Sequence, residues 1–327
     1  MSGHLEKFAS CLRVDNLQCI RWKCPPHPAR RGAPREMALV ALSGDEQRII
    51  FSQLCNVLYP GVAVAFGSTS NELRALTQAP RQQLRADHEA AAALCGKLGM
   101  QSCKELREVK TVECFRKGLS AADLTTLGTL GSVLPVLEEL SLHEETTGPD
   151  GVQRLAERLD AGALPAVTFL RFYRMRVCDA GASALAAALG RGALPRLEVL
   201  VLTAAGIGDA GLVALAPALR RRPALEKLRL HGNPFGDKGL AALVAPPPPA
   251  AGALPPPTGG LTKLKVLRLS YTQVTDAGCA ALAAALDSGA LPALEVFHVQ
   301  DTPTSAAAEA AVMEALKRTA TRAAMPS

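Results

Sequence analysis

Hydrophobic positions along this chain follow two rhythms that alternate. Leu197, Leu200 and Leu202 stand in the spacing L-x-x-L-x-L. Leu212, Leu215 and Leu219 then follow at helical spacing. The first rhythm ends in strict alternation, which predicts a short strand with Leu on one side and the x residues on the other. The second predicts a helix with one apolar stripe. A single strand–helix unit of this kind cannot bury its own apolar side, but copies stacked beside it can.

The copies are present. Val109, Leu137, Val167, Leu197, Leu225, Leu264 and Leu294 open successive L-x-x-L-x-L slots, in steps of 28, 30, 30, 28, 39 and 30 residues. The helical stripes follow at Leu124 and Leu127, Leu155 and Leu159, Leu185 and Leu189, then Leu243, then Leu282 and Leu286. Asp179, Asp209, Asp237 and Asp276 each precede a helix and read as its N-cap, accepting free backbone amides at the positive end of the dipole. Gly181, Gly211, Gly239 and Gly278 stand two residues later, with Gly151 in the same slot, where small residues let the turn pack on its neighbour. Gly-Ala-Leu-Pro recurs at 162–165, 192–195 and 289–292 and turns the chain into the next strand.

A recurring unit of 28–30 residues with this spacing resembles the leucine-rich repeat of the ribonuclease-inhibitor type. The resemblance spans residues 106–320. It implies an α/β fold: a right-handed solenoid, or horseshoe, with parallel strands on the concave face and helices on the convex face. The family's Asn after the strand survives only as Asn233. Glu145, Met175, Ala205, Thr272 and Thr302 occupy that slot, so an asparagine ladder is expected to be mostly missing.

Residues 37–105 predict a small helical domain. Asp45 and Glu46 precede Ile49, Ile50, Phe51, Leu54, Val57 and Leu58 on one broad helical face, and Pro60-Gly61 ends it. Ser70 to Glu72 start a further helix with Leu73 and Leu76. Pro80 suits the first turn of another, which stops at Gly99. Residues 44–76 resemble an F-box through their acidic start, the Ile49-Ile50-Phe51 run, Leu54, Leu58 and Pro60. Two departures are Ser43-Gly44 in place of Leu-Pro and the absence of the closing Trp or Cys. The resemblance implies docking on a cullin-ligase adaptor through Ile49, Ile50, Leu54, Leu58 and Pro60. The same residues also read as a helical cap over the first repeat.

Residues 1–36 read as a disordered basic tail, broken by Pro25-Pro26-His27-Pro28. Cys11, Cys19, Cys24 and His27 lack the paired C-x2-C knuckle of a zinc site. Residues 245–260 read as an exposed proline-rich insertion, which accounts for the step of 39. Residues 321–327 read as a second disordered tail. No apolar run reaches the length of a membrane span, and no secretory signal is legible. Nine cysteines without a framework fit reduced thiols and a cytoplasmic or nuclear setting. A net charge of +6 does not call for nucleic acid.

The x positions of the strands predict the concave face. Phe169, Arg171, Tyr173, Lys227, Arg229, Arg268 and His298 form its basic and aromatic part, the expected protein-binding site for a partner with an acidic surface. Glu113, Glu138, Glu139, Glu144 and Glu145 mark an acidic end. No phosphate loop, nucleophile elbow or zinc-helix motif occurs, and His143, His231 and His298 are whole repeats apart. The expectation is a monomeric, non-enzymatic interaction protein without cofactor or metal, with a ligase substrate receptor as its sharper form. The alternatives are a GTPase activator, known among repeats of this type, and a bare scaffold or inhibitor.

Overall fold

The computed structural model describes residues 43–145, 147–244 and 260–324. The expected basic tail, its cysteines and His27, and the proline-rich insertion apart from Gly260 lie outside the described residues. The chain divides into two compact units, residues 1–86 and 87–327.

In the first unit, Ser43 and Glu46 form a reciprocal cap that starts helix α1, Gly44–Leu54. The Ser43 hydroxyl accepts the Glu46 amide at 3.3 Å, and the Glu46 carboxylate accepts the Ser43 amide at 2.9 Å. This exchange holds the Glu46 carboxyl below its ordinary pKa. Helix α2, Gly61–Phe66, follows Pro60, and α3, Asn71–Leu76, is capped by the Ser70 hydroxyl. Phe51, Ala63 and Leu84 are buried together, with Leu54, Cys55, Val57 and Phe66 packed against them. Helix α4 runs from Gln78 to Leu98, and the division between units falls within it. The end of α4 and helix α5, Cys103–Glu108, therefore group with the repeats, although the leucine pattern begins only at 106.

The second unit carries seven strands: β1 Thr111–Phe115, β2 Glu139–His143, β3 Phe169–Tyr173, β4 Val199–Thr203, β5 Lys227–Arg229, β6 Val266–Arg268 and β7 Val296–His298. They form one sheet in chain order, and every neighbouring pair is parallel. Parallel neighbours require a crossover, and helices supply it. These are α6 Ala121–Thr129, α7 Gly151–Glu157, α8 Cys178–Arg191, α9 Asp209–Arg220, α10 Asp237–Val244 and α11 Asp276–Asp287. Helix α12, Ala306–Ala324, follows β7 and continues through residues expected to belong to the C-terminal tail. Leu137, Leu140 and Leu142, and their counterparts Leu197, Leu200 and Leu202, are buried between sheet and helices. Each such side chain stabilises the stack by about 2 kcal/mol, a gain that depends on the neighbouring repeat being present.

Two features of the repeat differ from expectation. The aspartates do not cap their own helices. Asp179 Oδ1 accepts the amides of Gly208 and Gly211, at 2.7 and 3.0 Å, at the start of the next helix. Asp209 does the same for Gly236 and Gly239, and Asp237 for Thr275 and Gly278. Asp276 accepts the Ser305 amide at 2.6 Å. The carboxylates therefore tie successive repeats together, each at the positive end of its neighbour's helix.

The second difference concerns the asparagine slot. Asn233 uses its whole amide: Oδ1 accepts from Ala205 and Ile207, and Nδ2 donates to Leu202 and Leu230. Thr272 and Thr302 replace only one of these bonds, to Leu269 and Val299. In the second copy it is Glu144, and not Glu145, that turns inward, and its carboxylate accepts the Leu119 amide at 3.2 Å.

Candidate functional site

Parallel register places the outward strand residues in rows across the sheet. One row runs Glu113, Ser141, Arg171, Val201, Arg229, Arg268, His298. Beside it runs Thr111, Glu139, Phe169, Val199, Lys227, Val266, Val296. A third begins Phe115, His143, Tyr173, Thr203. The sheet thus brings Arg171, Arg229, Arg268 and His298 into one line, with Phe169 and Lys227 in the next.

The arginine row is uncompensated. Arg229 and Arg268 each bury an Nε atom that has no hydrogen-bond partner. Among the described residues, no carboxylate forms an ion pair with Arg171, Arg229 or Arg268. Burial, then Arg268 and Arg171, lower the Arg229 pKa. Burial, then Arg268, Arg229 and Arg171, lower that of His231. All these effects oppose positive charge, so an anion placed here would relieve them.

The centre of the face is covered. Val201 is 3% exposed and Thr203 4%, the first between Arg171 and Arg229 in its row, the second beside Tyr173 and 3.5 Å from the His231 ring. The third row holds rings that sequence reasoning did not group. Phe115 and His143 meet edge to face at 4.5 Å between centroids, and His143 and Tyr173 at 4.8 Å. Arg171 lies 5.0 Å from the Tyr173 ring centre and Arg174 lies 5.6 Å from it. A signal for the group exists in the sequence: all three rings follow directly after the last inward residue of consecutive strands.

The acidic end is smaller than the sequence implies. Glu138 pairs with Lys110 at 2.9 Å, Glu145 with Arg116 at 3.6 Å, and Glu144 is buried. Glu113 and Glu139 remain exposed on the strand face.

In the first unit, Ile49 is exposed, Leu54 and Pro60 are half-buried, and Ile50 and Leu58 are interior. The five residues expected to make an adaptor patch therefore do not share one surface. The helical spacing places Ile49 and Ile50 on one broad face, but only Ile50 is buried.

Among the described residues, no three His, Cys, Asp or Glu side chains gather as metal ligands, and no helix is long and apolar enough to cross a membrane. On the helix side, an open groove is lined by Thr125, Asp150, Gln153, Arg154, Glu157 and Arg158.

The seven parallel strands alternating with helices form the α/β, solenoid-like stack expected of leucine-rich repeats. Residues 194–216, 223–244 and 260–283 match the family model described as Leucine Rich repeat. None of these segments falls within 44–76. Among solved structures, the chain is similar to one titled "Leiomodin-1 Actin-Binding Site 2 (ABS2)", with 14% identity, 62% of this chain and 90% of that chain covered, and a TM-score of 0.36. No curated protein matches the sequence.

Proposed function

We propose that this chain is a non-enzymatic protein-binding module that docks its partner on the strand face from β3 to β6. The observation that carries the reading is the row of Arg171, Arg229 and Arg268, held half-buried on a rigid sheet without carboxylate partners. Fixed guanidinium groups beside aromatic rings are the residue types that anchor protein interfaces. The test is quantitative affinity purification of the full chain against Arg171→Glu combined with Arg229→Glu. Loss of partners from a variant with unchanged melting supports the reading; an unchanged partner set overturns it.

A ligase-receptor role is the sharper reading, and exposed Ile49 and Tyr59 on the first unit are the observations that favour it. It predicts co-purification of a cullin-ligase adaptor, lost in Ile49→Asp. An absent adaptor removes this role and leaves the strand face untouched.

A further inference from the structure

We infer that the strand face recognises an extended acidic peptide segment, laid across β3 to β6, whose carboxylates on alternate residues meet Arg171, Arg229 and Arg268. This rests on the reading of the strand face as the docking surface.

Spacing supports the fit. Arg171 and Arg268 stand three strands apart in one row. Parallel strands lie about 4.8 Å apart, so the row spans roughly 14 Å. Side chains on one face of an extended peptide recur every ~6.7 Å, so residues i, i+2 and i+4 span roughly 13 Å. The end carboxylates therefore fall on Arg171 and Arg268, while Arg229, two strands from Arg171 and one from Arg268, stands roughly 3 Å from the middle one, a gap its long side chain can span.

Geometry and charge agree. Val201 lies buried between Arg171 and Arg229 in the row, so the guanidinium groups and not the β4 side chains form the surface there. The Arg171 guanidinium is held over the Tyr173 ring, which limits the entropy it would lose on binding. The buried Nε atoms of Arg229 and Arg268 have no partner, so turning either guanidinium toward a carboxylate gives up no hydrogen bond at that atom. Glu113 and Glu139 on the strand face at β1 and β2 repel acidic residues, so the acidic stretch is confined to the β3–β6 side. The same glutamates disfavour a nucleic-acid strand following the whole face.

The probe is a fluorescein-labelled peptide of about ten residues with Glu at alternate positions and Ala and Ser between, titrated with the full chain by anisotropy at low salt. The expected result is saturable binding, weakened at least tenfold when Glu is replaced by Gln. Arg229→Gln with Arg268→Gln weakens it by a similar factor, whereas Lys317→Gln on α12 leaves it unchanged. A peptide with the same glutamates in one block binds several-fold more weakly. Equal binding by the block peptide, or by the double arginine variant with unchanged melting, overturns the inference. Tighter binding of a single-stranded oligonucleotide through the same arginines also overturns it. If the peptide fails to bind while Arg171→Glu with Arg229→Glu still loses protein partners, the acidic-peptide inference falls and the docking face stands. If the peptide fails to bind and the partner set is unchanged, both fall.

Discussion

Asp209 and Gly239 belong to successive repeats, and the carboxylate of the first accepts the amide of the second at 2.7 Å. The same oxygen accepts the Gly236 amide at 2.9 Å. One carboxylate therefore serves two donors at the start of a helix that is not its own. A Cβ added at Gly239 would stand 2.8 Å from that oxygen, so the glycine is required by the bond and not by its backbone angle.

The pair yields a coupled prediction. Asp209→Ala leaves two half-buried amides unpaired and should cost about 1–3 kcal/mol in chemical denaturation. Asp209→Asn keeps an acceptor and should cost less. Gly239→Ala should also destabilise, because its methyl meets the carboxylate. In the double variant that collision is gone, so the combined cost should fall short of the sum by about 1 kcal/mol. Additive costs would show that the two residues do not act through this contact.

Asn233 offers a test in which pH is the readout. Its Nδ2 donates to Leu202 and Leu230 at 2.7 and 2.6 Å. Asn233→Asp would point a carboxylate at two carbonyl oxygens, which raises its folded pKa above the unfolded value. A raised pKa contributes stability below the unfolded pKa that is lost as pH rises through the folded one. The variant should therefore be least stable, relative to the natural chain, at neutral and alkaline pH, and recover in part toward pH 4. A deficit independent of pH would contradict this account.

Much of the solenoid was legible because Leu137, Leu140, Leu142 and their counterparts answer only to strand alternation and burial. What Asp209 does was not legible, since a cap for its own helix and a cap for the next one leave the same Asp-x-Gly signature. Glu144 was hidden for a similar reason: repeat counting pointed to Glu145, and only the local turn decides which carboxylate turns inward. The candidate arginine row followed from strand register. The Phe115, His143 and Tyr173 contacts depend on side-chain rotamers that spacing does not specify.

Ile49 and Ile50 are adjacent in sequence and opposite in role. Ile50 is 7% exposed and Ile49 is 49% exposed. Ile50→Asp buries an unpaired charge and should unfold the first unit, read as loss of protease resistance. Ile49→Asp should leave melting within about 0.5 kcal/mol of the natural chain. Equal sensitivity at both positions would mean that α1 packs on a different face.

His231 links the arginine row to pH. Its ring Nδ1 lies 3.5 Å from Thr203 Oγ1, and burial followed by Arg268, Arg229 and Arg171 lowers its pKa. A depressed folded pKa contributes stability above the unfolded value, near 6.5, that is lost as pH falls through the folded one. The free protein should thus lose stability on mild acidification, and His231→Gln should lose less. An acidic peptide opposes the arginine contribution, because its carboxylates offset the three guanidinium groups that lower the His231 pKa beside burial. Binding then takes up a proton, so affinity should rise several-fold from about pH 7.5 to about pH 6. The peptide's glutamates, with ordinary pKa near 4.3, stay ionised over that range. His298, opposite Arg268, and His143, between Phe115 and Tyr173, share the face. His231→Gln separates their contribution and should flatten most of the pH response. A response that survives intact in His231→Gln would assign the proton elsewhere. One proton would therefore weaken the free protein and strengthen its complex, and calorimetry in two buffers of different ionisation heat would count it directly.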